Sequence, residues 1–92
     1  MKKSIIQLDE EKVCYLTGSR IDLDCHHCVH GGANRKLAEK YGLYVWLRHD
    51  IHMLLHDKDK ELDRYFEQEA QKAFEKLYSH DKWMKIFKKN YL

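Results

Sequence analysis

Six of the chain's seven histidines fall between His26 and His56. Imidazole is the commonest protein ligand for metals, and it titrates near neutrality. A cluster this dense needs a fold that gathers it, and its spacing is informative. His26 and His27 are adjacent, whereas His49, His52 and His56 follow one another at intervals of three and four residues. On a helix, positions 52 and 56 share one face, one turn apart. His-x3-His on a helix is a common way to hold one metal with two imidazoles. A third ligand must then come from elsewhere, and the His26-His27 pair is the obvious source. Neighbouring residues of a strand point to opposite faces, so the pair should divide its work, one ring on the metal and the other beside it.

The surrounding sequence supplies strands and helices to carry these rings. Val13-Cys14-Tyr15-Leu16 is rich in strand formers and is cut by Thr17-Gly18-Ser19, a turn signal. Ile21 to Val29 alternates in part through Ile21, Leu23 and Cys25 and predicts the next strand, followed by a loop at His30-Gly31-Gly32. A short helix is expected over 33–41, stopped by Gly42. Leu43-Tyr44-Val45-Trp46-Leu47 predicts a strand with Trp46 in the core, and a helical period begins at His49. Leu62, Tyr65, Phe66, Ala70, Ala73, Phe74 and Leu77 then trace one apolar stripe. Ser79 is placed to cap a last helix carrying Trp83, Ile86 and Phe87. The chain is expected to be one domain over 1–92, a histidine-rich front half (1–56) with a helical buttress (57–92).

Composition narrows the function. Apolar residues make up 43% and charged residues 35%, as in a globular protein. The absence of proline excludes a polyproline ligand. No apolar run approaches the ~20 residues of a membrane span, and acidic Asp9 comes too early for a signal peptide, so a cytoplasmic protein with no membrane partner is expected. A net charge of +2 does not by itself point to nucleic acid; local basic groups would have to.

The stretch from Cys14 to His56 resembles the HNH family of nucleases (the His-Me finger or ββα-metal enzymes). His26, His27, His52 and His56 match, in order and approximate spacing, the set found in the colicin-type DNases of that superfamily. The segment from His26-His27 through Gly31-Gly32-Ala33-Asn34-Arg35-Lys36 to Leu47, and the tail through Phe87 to Leu92, are similar to small phage and prophage proteins akin to a recombination-enhancing, recombinase-dependent nuclease. The resemblance implies an α+β fold, a small ββα-metal unit packed on C-terminal helices. It implies His27 as general base, and His26, His52 and His56 on one divalent metal, with Zn²⁺, Ni²⁺, Mn²⁺ and Mg²⁺ all open. It also implies a DNA endonuclease or nicking activity with low sequence specificity, encoded by a phage or prophage in a bacterial cell and partnered with recombination or packaging proteins. The family's middle Asn meets Gly42 here, and Asn34 stands upstream as its substitute. The two Cys-x-x-Cys pairs of many relatives are broken, with Thr17 three residues after Cys14 and Arg48 where the second pair would begin.

Other residues carry two readings each. His30 and His49 are structural or phosphate-contacting side chains, or accessory ligands; His80 is a surface residue. Arg35, Lys36, Lys40 and Arg48 flank the cluster and are either phosphate contacts or a solvated face. Lys82, Lys85, Lys88 and Lys89 divide the same way. Cys25 and Cys28, with Cys14 and one histidine, offer a structural zinc site, provided the strand breaks into a knuckle. Two alternatives to the nuclease therefore stand: a catalytically impaired HNH-like module that binds DNA or protein, and a structural zinc domain.

Overall fold

Two five-residue strands form the frame. In the computed structural model, which describes residues 2–57 and 59–92 (the side chains of His56 and Asp57 excepted), β1 spans Leu23–His27 and β2 spans Tyr44–Arg48. They pair antiparallel with His26 opposite Val45 and Cys25 opposite Trp46. Between them runs α1 (Gly32–Tyr41); after them come α2 (His49–Asp57), α3 (Lys60–Leu77) and α4 (His80–Phe87). The architecture is α+β, a two-stranded antiparallel sheet with four helices among the described residues.

The connection from α1 into β2 depends on Gly42. It ends α1 in the left-handed conformation, at φ 73°, and its N–H and that of Leu43 both return to the Ala38 carbonyl. A Cβ at this position would lie 2.3 Å from the Lys3 carbonyl oxygen. The Gly42 carbonyl also accepts the Ile5 N–H at 2.9 Å, so residues 3–5 are laid directly on the glycine backbone. This N-terminal segment then follows the outer edge of β2. Ser4 Oγ donates to the Tyr44 carbonyl, and Gln7 Oε1 accepts the Trp46 N–H at 2.8 Å.

Four expectations change. Val13–Leu16 is not a strand. The Gly18 N–H closes back on the Cys14 carbonyl at 2.8 Å, and that turn leaves only the Tyr15 N–H to reach the Trp46 carbonyl. The second predicted strand is shorter than 21–29, because Asp22 adopts a left-handed φ of 57° just before it. Trp46 is half-buried and outside the core. It lies on the sheet face that carries Cys25, with the Lys12 ammonium 4.1 Å from its ring centroid. The stripe on α3 is narrower than predicted. Phe66, Ala70 and Phe74 are buried at one-turn intervals, while Tyr65 and Leu77 are exposed.

The core joins both halves of the chain. Cys28, Val29, Leu43, Val45 and Leu47 from the hairpin pack in one cluster with Phe66, Ala70, Phe74 and Trp83 from the helices. Asp59 caps α3 by accepting the Leu62 N–H, and Ser79 caps α4 by accepting the Lys82 N–H, as its position predicts. Buried Gln71 ties the end of the chain to α3. Its Oε1 accepts the Tyr91 N–H and its Nε2 donates to Asn90, each at 2.7 Å. Among the described residues no helix is long and apolar enough to cross a membrane.

Gly42→Ala must place a methyl group against the Lys3 carbonyl and hold an L-residue at positive φ. The expected loss is about 2–4 kcal/mol, read as a lower midpoint in urea unfolding. An unchanged midpoint would show that residues 3–5 are not held on Gly42.

Candidate metal centre

The apolar alternation in β1 marks the wrong face. Ile21 is exposed and Leu23 and Cys25 are half-buried, whereas His26, between them in phase with Asp24, is 2% exposed. The polar side of this strand is therefore the one turned toward the helices. What makes that tolerable is the direct passage from β2 into α2. The His49 N–H donates to the Asp22 carbonyl at 2.7 Å, so α2 starts without a loop and lies over Asp24.

Asp24 then joins strand to helix. His49 Nδ1 and His52 Nδ1 stand 2.7 and 2.9 Å from the same oxygen, Asp24 Oδ2. An ionised carboxylate only accepts, so both nitrogens carry protons. For a neutral His52 ring, that leaves Nε2 with the lone pair a metal needs. The hydrogen bonds from His52 and His49 hold the Asp24 carboxyl below its ordinary range, and Asp24 in turn raises the imidazolium of His49 above its own.

His26 sits at the centre of the ring cluster. Its centroid is 5.4 Å from that of His52, 5.7 Å from His30 and 5.2 Å from Phe66. His30 lies in the loop after β1, where its Nε2 meets Oδ1 of Asp63 from α3. Asn34, near the start of α1, fixes that loop by donating to the His30 carbonyl at 2.7 Å. His26, His30 and Asp63 each offer one donor atom, all within 4.8 Å of one another. Tetrahedral ligands at ~2.1 Å from an ion stand roughly 3.4 Å apart, so small side-chain adjustments suffice to hold one. Two imidazoles and a carboxylate are a donor set that zinc and its neighbours accept.

His27 takes the other face, as strand alternation requires. Its Nε2 is 3.4 Å from Glu39 Oε1 on α1, and its side chain is 15% exposed. Both faces nevertheless open on one cleft of about 560 Å³, whose lining includes His26, His27, His30, His52, Arg35 and Glu39. Lys36 and Lys40 are exposed on α1, outside the lining. Arg48 is engaged by Asp50 through two hydrogen bonds of 2.7 and 2.9 Å. His56 belongs to α2, but its side chain lies outside the described residues. His80 is exposed and bonded to Glu75, as a surface residue should be. No cysteine belongs to the donor group. Cys28 is fully buried, and burial pushes its thiol well above the usual range.

Three acidic residues of this region escaped the sequence reading. Asp24 alternates with His26, Glu39 is twelve residues from His27, and Asp63 is thirty-three from His30. Asp63 alone carried a usable signal, since it precedes buried Phe66 by three positions and so shares its side of α3. No protein family, no curated protein and no solved structure matches the chain.

The Asp24–His49 pair has a defined pH window. His49 is raised, so its share of stability is complete below its unfolded value of 6.5 and is lost as pH rises through the folded one. Asp24 is lowered, so its share is present above 3.8 and is lost as pH falls through its folded value. Asp24→Asn should move the His49 midpoint down toward 6.5 in an NMR titration of metal-free protein. It should destabilise the chain most between those two limits. A His49 midpoint that does not move would remove Asp24 as its partner.

Proposed function

We propose that this chain is a metal-dependent DNA nuclease of HNH type, which hydrolyses or nicks phosphodiester bonds in the cleft around β1. The observation that carries the reading is the set of rings over β1. His52 from α2 packs against His26 from β1, and Asp24 accepts a hydrogen bond from His52 Nδ1–H. A carboxylate behind a histidine is how proteins orient a metal-ligating imidazole and fix its tautomer. His26 and His52, with His56 one turn further along α2, would hold one divalent cation. When bound, the cation supplies Lewis acidity to the phosphate and the leaving oxygen.

The remaining work belongs to the chain's own groups. His27 is the general base, removing the proton of the attacking water. Glu39 orients it: an Nε2–H turned to that carboxylate leaves Nδ1 of the neutral ring free to accept a proton. Arg35, in the same cleft, is the phosphate contact best placed for the reaction, with Lys36 and Lys40 further out on α1. Asn34 acts through the His30 backbone as a positioning residue. A phage or prophage origin, and partners among recombination or packaging proteins, go with this reading.

A second reading is favoured by one observation. His27 occupies the sheet face opposite His26, which suits a module that binds metal and DNA without cleaving. Nicking of supercoiled plasmid with Mg²⁺, Mn²⁺, Ni²⁺ or Zn²⁺ separates the two. The nuclease reading expects cleavage, a loss of about 10²–10⁴-fold in His27→Ala with metal retained, and loss of both metal and cleavage in His26→Ala. DNA bound with steep salt dependence but never nicked would leave the non-cleaving module.

A further inference from the structure

The metal set of the proposed nuclease, His26, His52 and His56, draws on the front half of the chain alone, yet α3 brings a carboxylate to the same ring. Asp63 belongs to the first turn of the eighteen-residue α3, held in place by buried Phe66 three positions on. Its carboxylate faces His30, and His30 faces His26. Among the described residues, a second pocket of about 340 Å³ is lined by His26, His30, Leu55 and Asp63. Three of those four lining residues carry side chains of metal-ligand type. The chemistry of the trio is specific. Two imidazoles and one carboxylate leave at least one position open for water or a phosphate oxygen. His30 and Asp63 are 43% and 30% exposed at their side chains, so an ion between them can be reached from solvent.

We propose that a divalent transition-metal ion binds on His26, His30 and Asp63, so that a carboxylate from the helical half is a ligand of the centre and the ion clamps α3 to the end of β1. The contact of His30 with Asp63 is the one the ion replaces: each side chain turns its donor atom from its neighbour to the metal. The loop that carries His30 is already fixed by Asn34, so little ordering remains to be done on binding. This ion shares His26 with the nuclease reading and rests on its metal half, not on its DNA half.

The test is calorimetric titration of Zn²⁺ into the metal-free full chain, paired with thermal unfolding with and without Zn²⁺. Asp63→Ala and His30→Ala should each weaken binding by about 10–100-fold or more and shrink the rise in unfolding midpoint that Zn²⁺ gives the wild type. His80→Ala, on the exposed Glu75 pair, should bind as the wild type does. Should Asp63→Ala fail to fold, Asp63→Asn, which keeps the shape and removes the charge, is read in the same way. Wild-type Zn²⁺ affinity in the folded Asp63 and His30 variants overturns the site. Plasmid nicking keeps the two proposals apart. Zn²⁺ binding that depends on Asp63, in a chain that never nicks, supports this site and sinks the nuclease. Nicking with Zn²⁺ affinity unaltered in Asp63→Ala does the reverse.

Discussion

The structure depends on one carboxylate, Asp24, which lets β1 turn its polar side inward. A strand that presents Asp24 and His26 to the helices needs partners for them there. His49 and His52 supply those for Asp24, from a helix that leaves β2 without a loop. The same two hydrogen bonds set the direction of α2 and the tautomer of His52, and they leave His26 among rings. Fold and site are therefore one arrangement here. The interaction that docks α2 on the sheet is also the one that fixes the tautomer of His52.

The helical half does more than cover the hairpin. Its apolar side is an aromatic cluster in which Phe74 and Trp83 centroids lie 5.5 Å apart and Trp83 and Phe87 4.1 Å. Fully burying side chains of this size contributes roughly 1.5–3 kcal/mol each, which a hairpin of two five-residue strands cannot supply for itself. Gln71, buried within this half, pairs its amide with Tyr91 and Asn90 and so closes the chain's last residues over α3. The N-terminal turn of α3 reaches past this core to His30, which is how Asp63 arrives at the histidines.

Much of this was legible in the residues, and the failures have physical causes. The helix stop at Gly42 and the cap at Ser79 each follow from a local rule and appear as expected, and the strand expected over 43–47 is found one residue later, over Tyr44–Arg48. The stripe on α3 was legible in outline, and its width was not, because burial there is set by how far the small hairpin extends. Val13–Leu16 failed because strand-forming side chains do not make a strand when a glycine turn consumes the ladder positions. The site divided along the same line. The histidines announced themselves by type and number, and the opposite facing of His26 and His27 followed from alternation. Asp24 and Glu39 did not, since an aspartate or glutamate in a chain this charged reads as surface until its partner across the fold is known, and Asp63 offered only its spacing of three from Phe66.

In the proposed centre a nitrogen- and oxygen-ligated ion would sit beside His26, with the base and phosphate contacts in the cleft that wraps β1. The cysteines stay out of the donor group: Cys28 is sealed in the core, and Cys25, though it lines the cleft, lies on the sheet face opposite His26. That division between donors is the central claim, and X-ray absorption of the zinc-loaded full chain tests it most directly. The account predicts nitrogen and oxygen scatterers at ~2.0–2.1 Å with the outer-shell features of imidazole and no sulfur. A sulfur shell at ~2.3 Å would contradict it and move the metal to the cysteines.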